Sequence, residues 1–151
     1  MAIAEKAGVQ RHTVYAHFPD ERALFRACSA HWRAEHPRPD FAPVLDLEDP
    51  ARRLHRALGE MYAWYESVEP DLEHFYRDSS LTVAGAETLG ETLGQIALLA
   101  DALASGWPRR KTVRAAIGHA LAFETWRSLV RGEGLTQKQA VDSMVRFVSS
   151  V

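Results

Sequence analysis

Apolar side chains return at steps of three and four along this chain, and no segment alternates apolar with polar residues. That spacing belongs to helices that bury one face, and it leaves no material for a half-buried strand. The predicted fold class is all-α. The 151 residues suffice for one medium domain, or for a small module joined to a modest one. With 46% hydrophobic and 25% charged residues, the composition is that of a globular chain and not of a disordered one. No apolar run reaches the length of a membrane span; the run Ile96–Ala100 stops at Asp101. The N-terminus shows no cationic stretch followed by an apolar one, and Cys28 is the only cysteine, which rules out an intrachain disulfide. Both features point to the cytoplasm. A net charge of −2 excludes a wholly basic nucleic-acid coat but leaves room for a local DNA-reading face.

Proline and glycine divide the chain. His36-Pro37-Arg38-Pro39-Asp40 cannot continue a helix, because two prolines remove donors and fix φ. It is read as the boundary between residues 1–35 and a second part, 40–151. Asp49-Pro50 opens the next helix, with Asp as N-cap and Pro at the first helical position. Leu54, Leu58, Met61, Tyr65 and Val68 form its stripe, and Glu69-Pro70-Asp71 is expected to start a separate, shorter helix bearing Leu72, Phe75 and Tyr76. A longer helix follows from about Ala86 to Ala104. Its tandem Glu-Thr-Leu-Gly tetrapeptides place Gly90 and Gly94 on one face, open to a close neighbour; no Gly-Lys-Ser/Thr follows, so this is no phosphate loop. Gly106-Trp107-Pro108 ends that helix. One helix is then expected from Arg109 to about Arg131, stopped by Gly132 and Gly134, and Thr136 to Gln139 reads as the capping box of the last.

The last two predicted helices are apolar on much of their surface. Ala116, His119, Phe123, Trp126 and Val130 line one face of the first, beside Val113, Ile117, Ala120 and Leu121; Val141, Met144, Val145 and Val148 do the same on the second, beside Ala140, Phe147 and Val151. Helices of this kind need burial on more than one side. A central place in a monomer satisfies that, as does a two-fold interface with a second copy through Ile117, Leu121, Val141, Met144, Val145 and Val148.

The first block is dense in short helical signals. One short helix ends at Gly8, and a second begins within a few residues, with Ile3, Ala7, Val9, Val14 and Phe18 directed to a shared core. A helix-turn-helix fits this spacing, and so does a generic helical hairpin. The residues themselves go further. Ile3-Ala4-Glu5-x-Ala7-Gly8-Val9, then Thr13-Val14-Tyr15-x-His17-Phe18-Pro19, then Ala23-Leu24-Phe25 resembles the TetR family of transcriptional regulators. More loosely, Gly118–Arg127 resembles the penultimate helix of many such regulators. The resemblance implies a homodimer whose second short helix enters the major groove of a double-stranded operator. By position, Arg11 and His12 would face bases or nearby phosphates, and Thr13, Tyr15 and His17 the sugar-phosphate backbone. His12 and His17 are five apart and share no helical face, so they make a poor metal pair.

Three departures accompany the resemblance. The family's first helix would precede Ile3, where only Met1-Ala2 stand; the expectation is a reading frame opened too late, with part of the cover of Ile3, Ala7, Val14 and Phe18 missing and DNA binding weakened. Gln10 stands where serine usually caps the recognition helix. Asp20-Glu21-Arg22 stands where a lysine often meets a phosphate, leaving Arg22 as the substitute. Residues 1–35 carry five basic residues against four acidic ones, a net of +1 and a thin electrostatic footprint.

For the second part the resemblance implies a ligand-binding and dimerisation domain. Met61, Tyr65, Phe75, Phe123 and Trp126 would line a pocket for a small apolar or aromatic effector, with His119 as polar handle; the spacing of these aromatics fits a plain core equally. No enzyme motif stands out: there is no His-Glu-x-x-His, Ser79-Ser80 lacks a nucleophile elbow, and Cys28 reads as a packing residue. The expected protein is thus a non-enzymatic, cofactor-free, ligand-responsive regulator, most simply a repressor. The alternative is a dimeric small-molecule-binding module whose DNA binding is impaired by the absent first helix.

Overall fold

The computed structural model describes residues 18–151. Among the described residues the regular structure is helical, with no strand. Helix α1 (Glu21–Glu35) starts at Asp20, whose carboxylate accepts from the Ala23 amide at 2.7 Å, and ends at His36 before the two-proline linker. A single turn, α2 (Ala42–Leu45), leads to α3 (Pro50–Asp78), capped as expected by Asp49, which accepts from the amides of Ala51 and Arg52. A 3₁₀ turn (Ser79–Leu81) joins α3 to α4 (Val83–Leu103). Then come α5 (Arg110–Ala120), α6 (Phe123–Arg127), a π turn (Ser128–Gly132) and α7 (Gln137–Ser149), which opens with the full Thr136–Gln139 capping box.

Helix α3 is the axis of the fold. Its 29 residues bury Leu54, Ala57, Leu58, Met61, Tyr62, Tyr65, Val68 and Leu72 against α7, α4 and α6. Helix α7 runs antiparallel to it. Gln137 bonds the Tyr62 carbonyl and the Glu66 carboxylate, while Asp142, one turn and more along, meets His55 at 3.1 Å.

Three expectations change. The break at Pro70 does not occur: α3 passes through it as one helix. Pro70 lies on the exposed side, so the Glu66 carbonyl it leaves without an amide donor can turn to water, while the buried stripe Tyr65, Val68, Leu72 keeps its register across it. Conversely, the single helix expected over 109–131 is broken at Leu121–Ala122, where Ala122 is extended (ψ 137°). No glycine or proline marks this site. The carbonyls freed there are taken by hydroxyls of α3: Tyr62 donates to Ala120 at 2.8 Å and Tyr65 to Leu121 at 2.6 Å. Finally, Gly90 and Gly94 have open space where a Cβ would go; the close approach is at Gly85, where a Cβ would run into the Ser79 carbonyl.

The apolar surfaces of α5, α6 and α7 find their cover within one chain. Ile117 and Leu121 are 0% exposed, Val141 3% and Val148 1%. An interface between copies would therefore rest not on these four but on the half-buried Met144 and Val145 and on Phe147, which is exposed and meets His119 edge to face.

Candidate functional site

One face of α1, the linker after it, the second half of α3 and one face of α4 line an open cavity of about 500 Å³. The volume lies within the range of small-molecule sites. Helical spacing sets the lining. Cys28, Ser29, Trp32 and Arg33 lie on adjoining turns of α1, and Thr88, Thr92 and Gln95 repeat at four and three along α4. From α3 come Trp64, Asp71, Leu72, His74 and Phe75, and the linker supplies His36 and Arg38.

Trp32 organises one wall. Its indole donates to Asp71 at 2.7 Å, its ring meets Trp64 edge to face at 6.2 Å, and His36 stacks on it at 4.9 Å. The imidazole of His36 is held in place by a bond from Nδ1 to the Trp32 carbonyl. Across the linker, the Arg38 guanidinium lies over the Trp64 ring, 5.5 Å from its centroid, and donates to Gln95 at 2.7 Å. Burial lowers the Arg38 pKa, opposed by the nearby phenols of Tyr65 and Tyr76. Among the described residues, no carboxylate lies within ion-pair distance of Arg33 or Arg38.

Of the six residues expected to line a ligand pocket, Phe75 alone does so. Met61, Tyr65, Phe123 and Trp126 are at most 2% exposed and pack on one another: Tyr65 meets Phe123 at 5.4 Å and Trp126 at 5.9 Å. They are core. Trp126 spends its indole N–H on Gln137 at 3.0 Å. His119 is exposed on α5, with Thr125 and Phe147 as neighbours and the cavity elsewhere. Cys28, expected to be packed, is exposed in the cavity wall. The lining residues missed include Trp32, Trp64, Arg38, Asp71 and Gln95. Their one sequence signal is Trp32, one turn before the proline linker.

Gln10, Arg11, His12, Thr13, Tyr15 and His17, expected on the DNA-facing side, lie outside the described residues. Arg22 is described. It pairs with Glu87 of α4 at 2.7 Å, and Arg26 approaches the same carboxylate at 3.8 Å. Among the described residues no three His, Cys, Asp or Glu side chains cluster to hold a metal, and no helix is long and apolar enough to cross a membrane.

No curated protein and no solved structure matches the chain. Residues 1–28 match the family model of bacterial regulatory proteins, tetR family. The match ends at Cys28, inside α1, so the matched segment runs from the expected helix-turn-helix into the wall of the cavity. Residues 1–28 thus carry the signature of that family's N-terminal segment, and among the described residues the rest of the chain is helical.

Proposed function

We propose that the protein is a ligand-responsive repressor that binds a palindromic operator as a homodimer and releases it when a small molecule enters the cavity. The observation that carries this reading is the double use of α1. The helix begins four residues after His17 of the expected reading segment, and Cys28, Trp32 and Arg33 on it form one side of the cavity. A molecule that moves α1 thereby moves what precedes it.

In a dimer, two recognition helices would have to sit about 34–36 Å apart to enter successive major grooves. A ligand that prefers another spacing withdraws protein from DNA. Taking the equilibrium from 1:99 to 99:1 needs about 5.5 kcal/mol of differential affinity. The half-buried Met144 and Val145, with exposed Phe147, supply an apolar face for the second copy. The reading keeps a division at the proline linker (1–35 reading, 40–151 sensing), with α1 and Arg38 of the linker lending residues to the sensor.

The test is a titration of the chain against DNA from upstream of its own coding sequence, followed by fluorescence anisotropy over a range of salt concentrations. The expected result is saturable binding that falls steeply as salt rises. A stable dimer by light scattering with no salt-dependent binding would overturn the DNA-reading half and leave a dimeric small-molecule-binding module.

A further inference from the structure

The cavity has a charge as well as a shape. Its lining holds two permanent cations, Arg33 and Arg38, against one carboxylate, Asp71. The three do not stand alike. Asp71 is exposed to solvent and already accepts the Trp32 indole proton. Arg38 is partly withdrawn from water, has the neutral Gln95 amide as its hydrogen-bond partner, and rests its face on Trp64. A hydrated carboxylate gains little from a bound cation. A desolvated guanidinium lacking a counter-ion gains much from a bound anion, since it has already lost part of its hydration and keeps further N–H donors to offer. Beside it the walls are flat and apolar: Trp32, Trp64, Leu72 and Phe75.

We infer that the cavity takes an amphipathic organic anion, a planar aromatic body with one carboxylate, its ring held among Trp32, Trp64 and Phe75 and its carboxylate on Arg38. This inference rests on the reading of the cavity as the effector site. Arg38 then selects the ligand's charge, while the aromatic walls select its body. Because Arg38 belongs to the linker that follows α1, an anion drawn onto it also ties the linker to the ring-bearing faces of α1 and α3.

Three naphthalene probes with the same body test this on the full chain by calorimetry: 2-naphthoate, naphthalene-2-methanol and 2-naphthylmethylammonium. The expected result is that naphthoate binds at least about tenfold more tightly than the alcohol, the size of one charge-assisted hydrogen bond. Arg38→Gln should remove that preference, and Arg38→Lys should restore part of it. Thr92→Trp, which fills the cavity from α4, should abolish binding of all three. Equal affinity of the three probes, lost in Thr92→Trp, would overturn the anion and leave the effector site standing. Tighter binding of the ammonium, lost in Asp71→Asn, would overturn it in favour of a cation. Binding that survives Thr92→Trp, or no binding of any probe, would overturn the cavity as the site together with the inference.

Discussion

Two hydroxyl groups decide where the chain between residues 109 and 131 stops being one helix. Tyr62 and Tyr65, a few residues apart on α3, donate to the consecutive carbonyls of Ala120 and Leu121, which the break leaves without amide donors. Each tyrosine replaced by phenylalanine leaves a buried acceptor unsatisfied, and each substitution is expected to cost about 1–3 kcal/mol in chemical denaturation. Burial raises both phenol pKa values above the ordinary 10.0. The unfolded chain therefore releases these protons near pH 10 while the folded chain retains them. Stability is intact below about pH 10 and falls as pH rises beyond it. In urea titrations at a series of alkaline pH values, Tyr62→Phe/Tyr65→Phe should show a shallower decline than the parent; an unchanged slope would mean that other groups carry the alkaline loss. Gln137 plays the matching part at the start of α7, accepting the Trp126 indole proton while its amide donates to Tyr62 and Glu66. Gln137→Leu strands that indole in the core and is expected to lower stability by about 1–3 kcal/mol, measured the same way.

At the scale of elements, local chemistry wrote the ends of helices plainly. Asp20, Asp49 and the Thr136–Gln139 box cap as their residue types predict, because a cap is a contact within three residues of itself. What the sequence concealed lies at longer range. Pro70 fails to break α3 because the burial of Val68 and Leu72 on either side outweighs one missing hydrogen bond. The break at Leu121–Ala122 is made by partners more than fifty residues away. The candidate site divides in the same way. Phe75 was legible as an aromatic on a helical stripe, whereas Met61, Tyr65, Phe123 and Trp126 share that stripe's chemistry and turn out to be core. Periodicity reports which face is apolar, not whether that face closes on itself or leaves a gap. Glycines sharpen the point. Gly85→Ala drives a methyl into the Ser79 carbonyl and should destabilise by about 1–3 kcal/mol. Gly90→Ala meets open space in an exposed helix and should stabilise by up to about 1 kcal/mol. Thermal melts of the two variants should shift in opposite directions.

Among the described residues, few side-chain bonds hold α1 to the rest. Trp32 bonds Asp71, and Arg22 and Arg26 share Glu87. The ion pairs are half-exposed and so contribute little to stability. Glu87 nevertheless occupies Arg22, the side chain expected from the sequence to meet a phosphate. Glu87→Gln should tighten DNA binding about two- to threefold and steepen its salt dependence by at most about one ion. Anisotropy at several salt concentrations checks this, and weaker binding would show that the pair positions α1 for DNA instead. None of residues 22–35 is fully buried, whereas α3 buries ten side chains. Detaching α1 uncovers little apolar area, so it should open locally well below the free energy of global unfolding, and its amides should exchange with solvent sooner than those of α3. Occupancy of the cavity and response to it thereby become separable. A molecule that reaches Arg38 and Phe75 but leaves Trp32 untouched would bind without steadying α1. Affinity and potency would then rank candidate ligands differently, and amide protection in α1 would be the quantity that follows potency.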